Sequence, residues 1–324
     1  PCDAPGCALP DLIHPKSMAV SVSKNLLYVV SRDNDRLLKV DPQTMNVMNT
    51  ALTGDEPWGV VVNEATNLVY VGNFASADIW VYNADTLALV TKIRLGNPGE
   101  TQPALMELLP SLNTVAVVLH GSNGVALIQG LTLTQIIGAT GAGTYGIAVD
   151  VVNNRIFVSN RDAGNTRVIY RTEFGQWKND GYNFTYSDRR VLFELAYNPN
   201  NKRLYSVYVI NNDWFVDTSY ERSDGSWGLL VTTPVGQGGG ADSPEVGGTG
   251  LVVNLVTGHV FNINSADNTV TVMNANGQVL ATVGTGVDPF TAVVNPATQV
   301  VFVGMRDARN TVNPDTVQKI IDNY

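Results

Sequence analysis

Residues 58–95 read WGVVVNEATNLVYVGNFASADIWVYNADTLALVTKIRL, and this stretch decides the fold. Residues 59–63 are an apolar run, 64–67 a polar turn, and 68–71 a short segment of β-branched and aromatic side chains. A polar loop over 72–77 leads to Ile79, Trp80, Val81 and Tyr82; residues 83–86 turn the chain again, and 87–95 close the unit. Val, Ile, Tyr and Trp suit a pleated, half-buried backbone, whereas Asn, Asp and Gly suit the dihedrals of tight turns. The stretch therefore predicts four short antiparallel strands joined by three turns. One such sheet cannot bury its own faces, so copies of it must stack.

The copies are present. Tyr28, Tyr70, Ala116, Phe157, Tyr205, Phe261 and Phe302 occupy the same place in seven units, at steps of 42, 46, 41, 48, 56 and 41 residues. A period of roughly 40–50 residues with four strands per unit is the signature of a propeller. The expectation is an all-β, seven-bladed β-propeller of four-stranded antiparallel blades. The repeat resembles the YVTN-type family, on the residues Val61-Val-Asn-Glu64, Leu68-Val-Tyr-Val-Gly-Asn73, Ile147-Ala-Val-Asp150, Ile156-Phe-Val-Ser-Asn160, Asn268-Thr-Val270, Ala292-Val-Val-Asn-Pro296 and Val301-Phe-Val303. That resemblance covers nearly the whole chain and implies the propeller. Propellers host unrelated activities, so it does not choose a function. Some relatives of the class are lyases, lactonases or dehydrogenase subunits, and their acid, His and metal sets do not map onto this chain residue by residue.

The 324 residues are 44% hydrophobic and 15% charged, with a net charge of −9. A closed ring of repeats can absorb that length as a single domain, here residues 14–324. The negative balance, with no Lys/Arg-rich run, argues against a broad nucleic-acid surface. No apolar run approaches the ~20 residues that span a bilayer. Residues 1–13 form a Pro-rich segment that is either a tail or a cover for the point where the ring closes. Its Cys2 and Cys7 are the only cysteines; Pro5-Gly6 between them makes a tight turn, and a small local disulfide is expected. That pairing points to an oxidising setting: extracellular, cell-surface or periplasmic. The chain starts at Pro1 without an apolar leader, as a mature or trimmed form would, and its degraded repeat beyond residue 310 also fits a piece of a larger multidomain protein. Residues 236–250 are Gly-rich and expected to be a loop.

Alternation along the first strand of each unit sorts its side chains. Met18, Val60, Met106, Ile147, Leu195, Leu251 and Ala292 form an apolar row expected to pack between blades. On the opposite side, mostly small residues are expected to crowd a central channel, with two charged exceptions, Glu107 and Glu194. A buried carboxylate needs a partner, water or a cation. The pair is therefore either a channel site for a metal or an ammonium group, or two acids solvated in a wet channel. Two carboxylates are thin for Ca²⁺, which takes 6–8 oxygens.

Four residues beyond the aligned aromatic stand Arg32, Phe74, His120, Arg161, Val209, Ser265 and Arg306; at the start of each first strand stand Lys16, Trp58, Ala104, Tyr145, Phe193, Thr249 and Phe290. Both sets are expected on one face of the disk. Arg and aromatic residues together suit a binding surface, and Arg offers a planar fork for carboxylate or phosphate. Arg32, Trp58, His120, Tyr145, Arg161, Phe290 and Arg306 are thus the candidate ligand-binding residues. The competing account makes the arginines repeat-stabilising bridges to an Asp and the aromatics caps on the core. A second candidate surface is the aromatic outer edge of blades 4 and 5, with Trp177, Tyr182, Tyr186, Trp214, Tyr220 and Trp227, suited to a protein or a sugar.

No catalytic set emerges. The three histidines, His14, His120 and His259, do not share an end of the repeat, and there is no Gly-x-Ser-x-Gly elbow, phosphate loop or haem signature. Asn183-Phe-Thr185 matches a glycosylation sequon. The sequence reads as a non-catalytic binding or interaction scaffold with a protein, small-molecule or carbohydrate ligand, and no cofactor is implied. The alternative is a metal-assisted lyase or hydrolase at the channel mouth, using His120 with Glu107 or Glu194.

Overall fold

In a computed structural model, which describes residues 7–138, 140–179, 183–185, 190–237, 250–306 and 315–324, seven antiparallel sheets follow one another around a ring. The second blade comprises Pro57–Asn63, Leu68–Asn73, Asp78–Asn83 and Leu89–Arg94, paired in that order from the inner strand outward. Four other blades keep this order; in the fourth, Trp177–Lys178 and Asn183–Thr185 both pair with Asn165–Arg171, and the seventh takes its outermost strand from the N-terminal segment. The one helical element among the described residues is a single 3₁₀ turn, Pro110–Leu112. None is a helix long and apolar enough to cross a membrane.

Seven apolar clusters fill the spaces between the sheets. In one of them Tyr28, Val30 and Leu37 of blade 1 meet Val60, Val69 and Tyr82 of blade 2. In another, Phe261 and Ile263 of blade 6 meet Val301 and Val303 of blade 7. The ring closes where Leu9, Leu12, Leu27 and Val29 meet Phe302 and Val317. Burial of these side chains, each worth about 1.5–3 kcal/mol when complete, is what requires every blade to have two neighbours.

The aligned aromatic on the second strand adds a directional bond to this packing. Tyr28 donates to Ala84 O at 2.8 Å, Tyr70 to Gly130 O at 3.0 Å and Tyr205 to Ala275 O at 3.0 Å, each time into the next blade. The Val-Asn/Asp that ends the inner strand is an Asx turn. The buried side chains of Asn63, Asp150, Asn198, Asn254 and Asn295 accept the amide two residues on, at 3.0–3.1 Å. The turn ends in a left-handed residue: Asn25, Asn67, Asn113, Asn154, Lys202, Gly258 or Gln299.

The N-terminal segment is the cover for the closure point rather than a tail. Thr316–Ile321 is the third strand of blade 7, and Cys7–Ala8 crosses over to be the fourth, with Cys7 opposite Val317. The segment expected to stand before the propeller is thus part of it from Cys7 onward, held by Leu9 N to Asp315 O at 3.2 Å and by fully buried Leu9 and Leu12. Cys2, and with it the expected pairing to Cys7, lies outside the described residues, as do Tyr182, Tyr186, 238–249 and 307–314.

Candidate functional site

The face expected to carry the ligand is built by one backbone device used repeatedly. Before the inner strands of five blades stands a residue with left-handed φ: His14 (59°), Glu56 (52°), Gln102 (52°), Gly143 (68°) and Asp288 (51°). Its carbonyl accepts the amide of Arg32, Phe74, His120, Arg161 and Arg306 respectively, at 2.8–3.1 Å. The strand then starts with a bulge. One extra residue is inserted at Lys16, at Trp58, within Ala104-Leu105, within Tyr145-Gly146, within Phe193-Glu194 and at Phe290. A bulge re-aims a side chain out of the pleat, and here it turns this set toward the mouth of the ring. The next inner strand passes so close that a Cβ on Gly59 would lie 2.3 Å from Ala104 O, and one on Gly146 2.2 Å from Phe193 O. Those two positions accept only glycine.

The result is an aromatic collar. Ring centroids run from Trp58 to Phe74 (4.3 Å), His120 (6.3 Å), Tyr145 (6.1 Å), Phe193 (5.7 Å) and Trp214 (4.9 Å). Lys16 carries the line across blade 1, with Nζ 3.6 Å from the Trp58 ring and 4.3 Å from that of Phe290, and Phe290 meets His14 edge-on. Arg306 lies 4.5 Å over Phe290 and Arg161 5.5 Å over Phe193.

All seven candidate residues belong to this collar, but not on equal terms. Trp58, Tyr145 and Phe290 are each 4% exposed and Arg32 is 8% exposed, so the aromatics cap the core rather than offer open faces for stacking. His120, Arg161 and Arg306 stay half-buried at the rim. The arginines form bridges of the kind the competing account expects, in one case to an Asp and in the other to a Glu. Arg32 binds Glu56 at 3.1 Å and Arg306 binds Asp288 at 2.8 Å, both acids belonging to the left-handed set. Glu56 and Asp288 join the site without being candidates, His14 enters from the start of blade 1, and Trp214 comes from the other candidate surface. The signal that finds His14, Glu56 and Asp288 is the Pro that follows each left-handed residue, as in Glu56-Pro57 and Asp288-Pro289.

Burial, then the charges of Lys16, Arg306 and Arg32, push the His14 imidazole far below its usual pKa. The neutral ring fits its partners: Nδ1 donates to Asp33 Oδ1 at 3.2 Å and Nε2 accepts from Arg306 at 3.3 Å. His120 uses Nδ1 on Thr144 O at 2.8 Å. Burial, then Glu194, raises the Tyr145 phenol.

Below the collar lies a cavity of about 280 Å³ with Glu107 and Glu194 in an otherwise mostly aliphatic wall. Met18 and Ala19 both line it, as do Val60 and Val61, so the two side-chain rows are not divided between blade interior and channel as expected. Each inner strand faces the axis with its edge, and alternate side chains slant toward both neighbouring blades. Burial raises the Glu194 carboxyl to about 8 against the Leu251 amide, which bonds it at 2.9 Å, and against the charge of Lys16; the charge of Glu107 adds to the rise. Burial raises Glu107 to about 7. Among the described residues no three His, Cys, Asp or Glu side chains gather as a metal site.

On the outer edge of blades 4 and 5, Trp227 packs on Phe157, Phe184 and Tyr197, and Trp214 belongs to the collar. Tyr220 remains exposed.

With this geometry in view, three comparisons place the chain. The uncharacterized protein YncE of Escherichia coli O157:H7 is 24% identical over 160 residues, 45% of this chain and 45% of that protein. The match thus spans less than half of the curated relative. A structure of Kuenenia stuttgartiensis hydrazine synthase superposes with a TM-score of 0.79 at 14% identity, covering 97% of each chain. A protein from Lactobacillus plantarum gives 0.66 at 18% identity over 86% of each. No family profile matches. The chain is a seven-bladed β-propeller. At these identities the structural likeness shows that fold and nothing of its chemistry.

Proposed function

We propose that this chain is a YVTN-type propeller acting as a non-catalytic binding scaffold, with the collar rim as its contact surface. The observation that carries the reading is the convergence on one mouth of Arg32, His120, Arg161 and Arg306, each held through its amide by the left-handed residue before the inner strand, over a rigid base of aromatic rings that the inner-strand bulges turn inward. Buried rings fix the rim in place, so binding costs little ordering entropy. Half-buried Arg161 and Arg306 supply guanidinium forks for a carboxylate-bearing ligand, a small molecule or an acidic segment of a protein. The metal-assisted lyase or hydrolase reading needs His120 to share an ion with Glu107 or Glu194. Those glutamates line the cavity beneath the collar, while His120 stands in the collar and spends one nitrogen on Thr144. An oxidising, extracellular or periplasmic setting belongs to the same proposal through Cys2 and Cys7; alkylation of the unreduced native protein that leaves both thiols unmodified supports it, and labelling of both contradicts it.

The direct test is ligand-observed NMR with aromatic carboxylates and an acidic peptide as probes. Binding by the wild type that is lost in an Arg161→Ala/Arg306→Ala double variant supports the collar. Equal binding by both proteins contradicts it.

A further inference from the structure

The repeat serves as its own control, and its turn face departs from the template at one place. At the left-handed turn position four blades carry Asn, one Gly and one Gln; blade 5 carries Lys202, held at φ 55°. A non-glycine residue without the local hydrogen bonding of Asn costs about 1–2 kcal/mol there. At the start of the second strand, where blades 1, 2 and 7 have Leu26, Leu68 and Val300, blade 4 has Arg155; blade 5 has Arg203 there, which turns to Ala275 and Asn276 of blade 6 and stays outside the cavity that Arg155 lines. The outer hairpin of blade 5, between Asp213–Glu221 and Trp227–Pro234, carries Arg222 and Ser223 at its turn. These departures meet around one cavity of about 390 Å³ lined by Asn153, Arg155, Lys202, Glu221, Arg222, Ser223 and Gly225. Every side chain in that lining is polar or charged.

Its charges divide into an ion-paired floor and two further cations. Arg155 is held by Asp150 at 2.7 Å and by Glu221 at 2.7 Å, which ties blade 4 to blade 5 and leaves that cluster with one carboxylate charge in excess. Arg222 donates to neutral acceptors, Ser226 Oγ at 3.2 Å and Trp227 O at 2.6 Å, so its charge is kept. Asp224 on the same hairpin turns to Ser226 and is not part of the lining. Lys202 stands exposed in the same lining. In a chain of net charge −9, this leaves a polar cavity with Lys202 and Arg222 in its wall.

We infer that the cavity between blades 4 and 5 on the turn face binds a small phosphate-bearing molecule through Lys202 and Arg222, separately from the collar. Two cations in one polar lining suit a group with several acceptor oxygens and more than one negative charge better than a single carboxylate. Ser223 and Asn153 add neutral donors for the remaining oxygens.

The test is titration calorimetry with inorganic phosphate and with pyrophosphate at low ionic strength. Three proteins are compared: wild type, Lys202→Asn/Arg222→Gln, and the collar variant Arg161→Ala/Arg306→Ala. Lys202→Asn installs the residue that the same turn carries in other blades, so the fold is kept. Expected is saturable binding, tighter for pyrophosphate, that weakens about tenfold for each cation removed and is unchanged in the collar variant. No saturable binding by the wild type, undiminished binding in the Lys202/Arg222 variant, or loss in the collar variant instead would each overturn the inference. The collar reading is untouched by the first two results.

Discussion

The hydroxyl of Tyr70 on blade 2 donates to the backbone oxygen of Gly130 on blade 3, 3.0 Å away. The ring is fully buried between the two sheets. This bond, repeated by Tyr28 and Tyr205, makes the blade-to-blade contact directional. Tyr70→Phe keeps the packing and leaves a carbonyl without its donor, at a cost of about 1–3 kcal/mol. Tyr28→Phe should cost a similar amount. The clasps share no atoms, so the double variant should show the sum within about 0.5 kcal/mol in urea unfolding. Neutral single variants would mean that packing alone holds the blades.

Removing residues 1–9 deletes the outermost strand of the last blade and the buried Leu9. It also exposes an unpaired edge on Thr316–Ile321, a template for association. The expected outcome is a lower melting temperature together with concentration-dependent oligomers in light scattering. A truncated protein that stays monomeric with an unchanged melt would show that the N-terminal strand does not close the ring.

Arg155 is the bridge between Asp150, whose side chain has no exposure, and Glu221. Arg155→Met leaves two carboxylates without their common cation, and the expected loss is about 3–5 kcal/mol. Chemical unfolding checks the size. A loss below 1 kcal/mol would mean that water replaces the guanidinium.

The channel carboxylates set a pH dependence. In the unfolded chain both titrate near the ordinary 4.5; in the fold Glu107 is raised to about 7 and Glu194 to about 8. The native state therefore holds these protons more tightly. Their contribution is fully present below pH 4.5 and is lost as the pH rises through 7 to 8. Melting temperature should fall between pH 5 and pH 8.5, and Glu107→Gln/Glu194→Gln should flatten that part of the profile. A variant profile parallel to the wild type would contradict the assignment.

What the sequence made legible follows from what is local. The apolar alternation, the Asn and Gly turns and the 41–56-residue step are local chemistry repeated seven times, so blade number and strand order could be read from residues 58–95 outward. Whether Trp58 and Phe290 cap the core or offer open faces could not be decided from the sequence, because Lys16, which packs on both rings, is remote from Phe290 in the chain and reaches it only once the ring has closed. The acids that meet Arg32 and Arg306, Glu56 and Asp288, lie 24 and 18 residues away in the chain, so no local pattern names them. The apolar inner-strand row does pack between blades, but the opposite row shares those clusters, because each inner strand faces the axis with its edge.

The five tryptophans give the most direct test of the collar as the contact surface. Trp58 and Trp214 stand in the collar, whereas Trp80, Trp177 and Trp227 lie on outer parts of blades 2, 4 and 5. Titrating the ¹⁵N-labelled protein with an aromatic carboxylate and following the five indole N–H signals reports where the probe sits. The account predicts saturable shifts of the Trp58 and Trp214 signals with the other three still. Shifts confined to Trp80, Trp177 or Trp227, or none at any concentration, would contradict it.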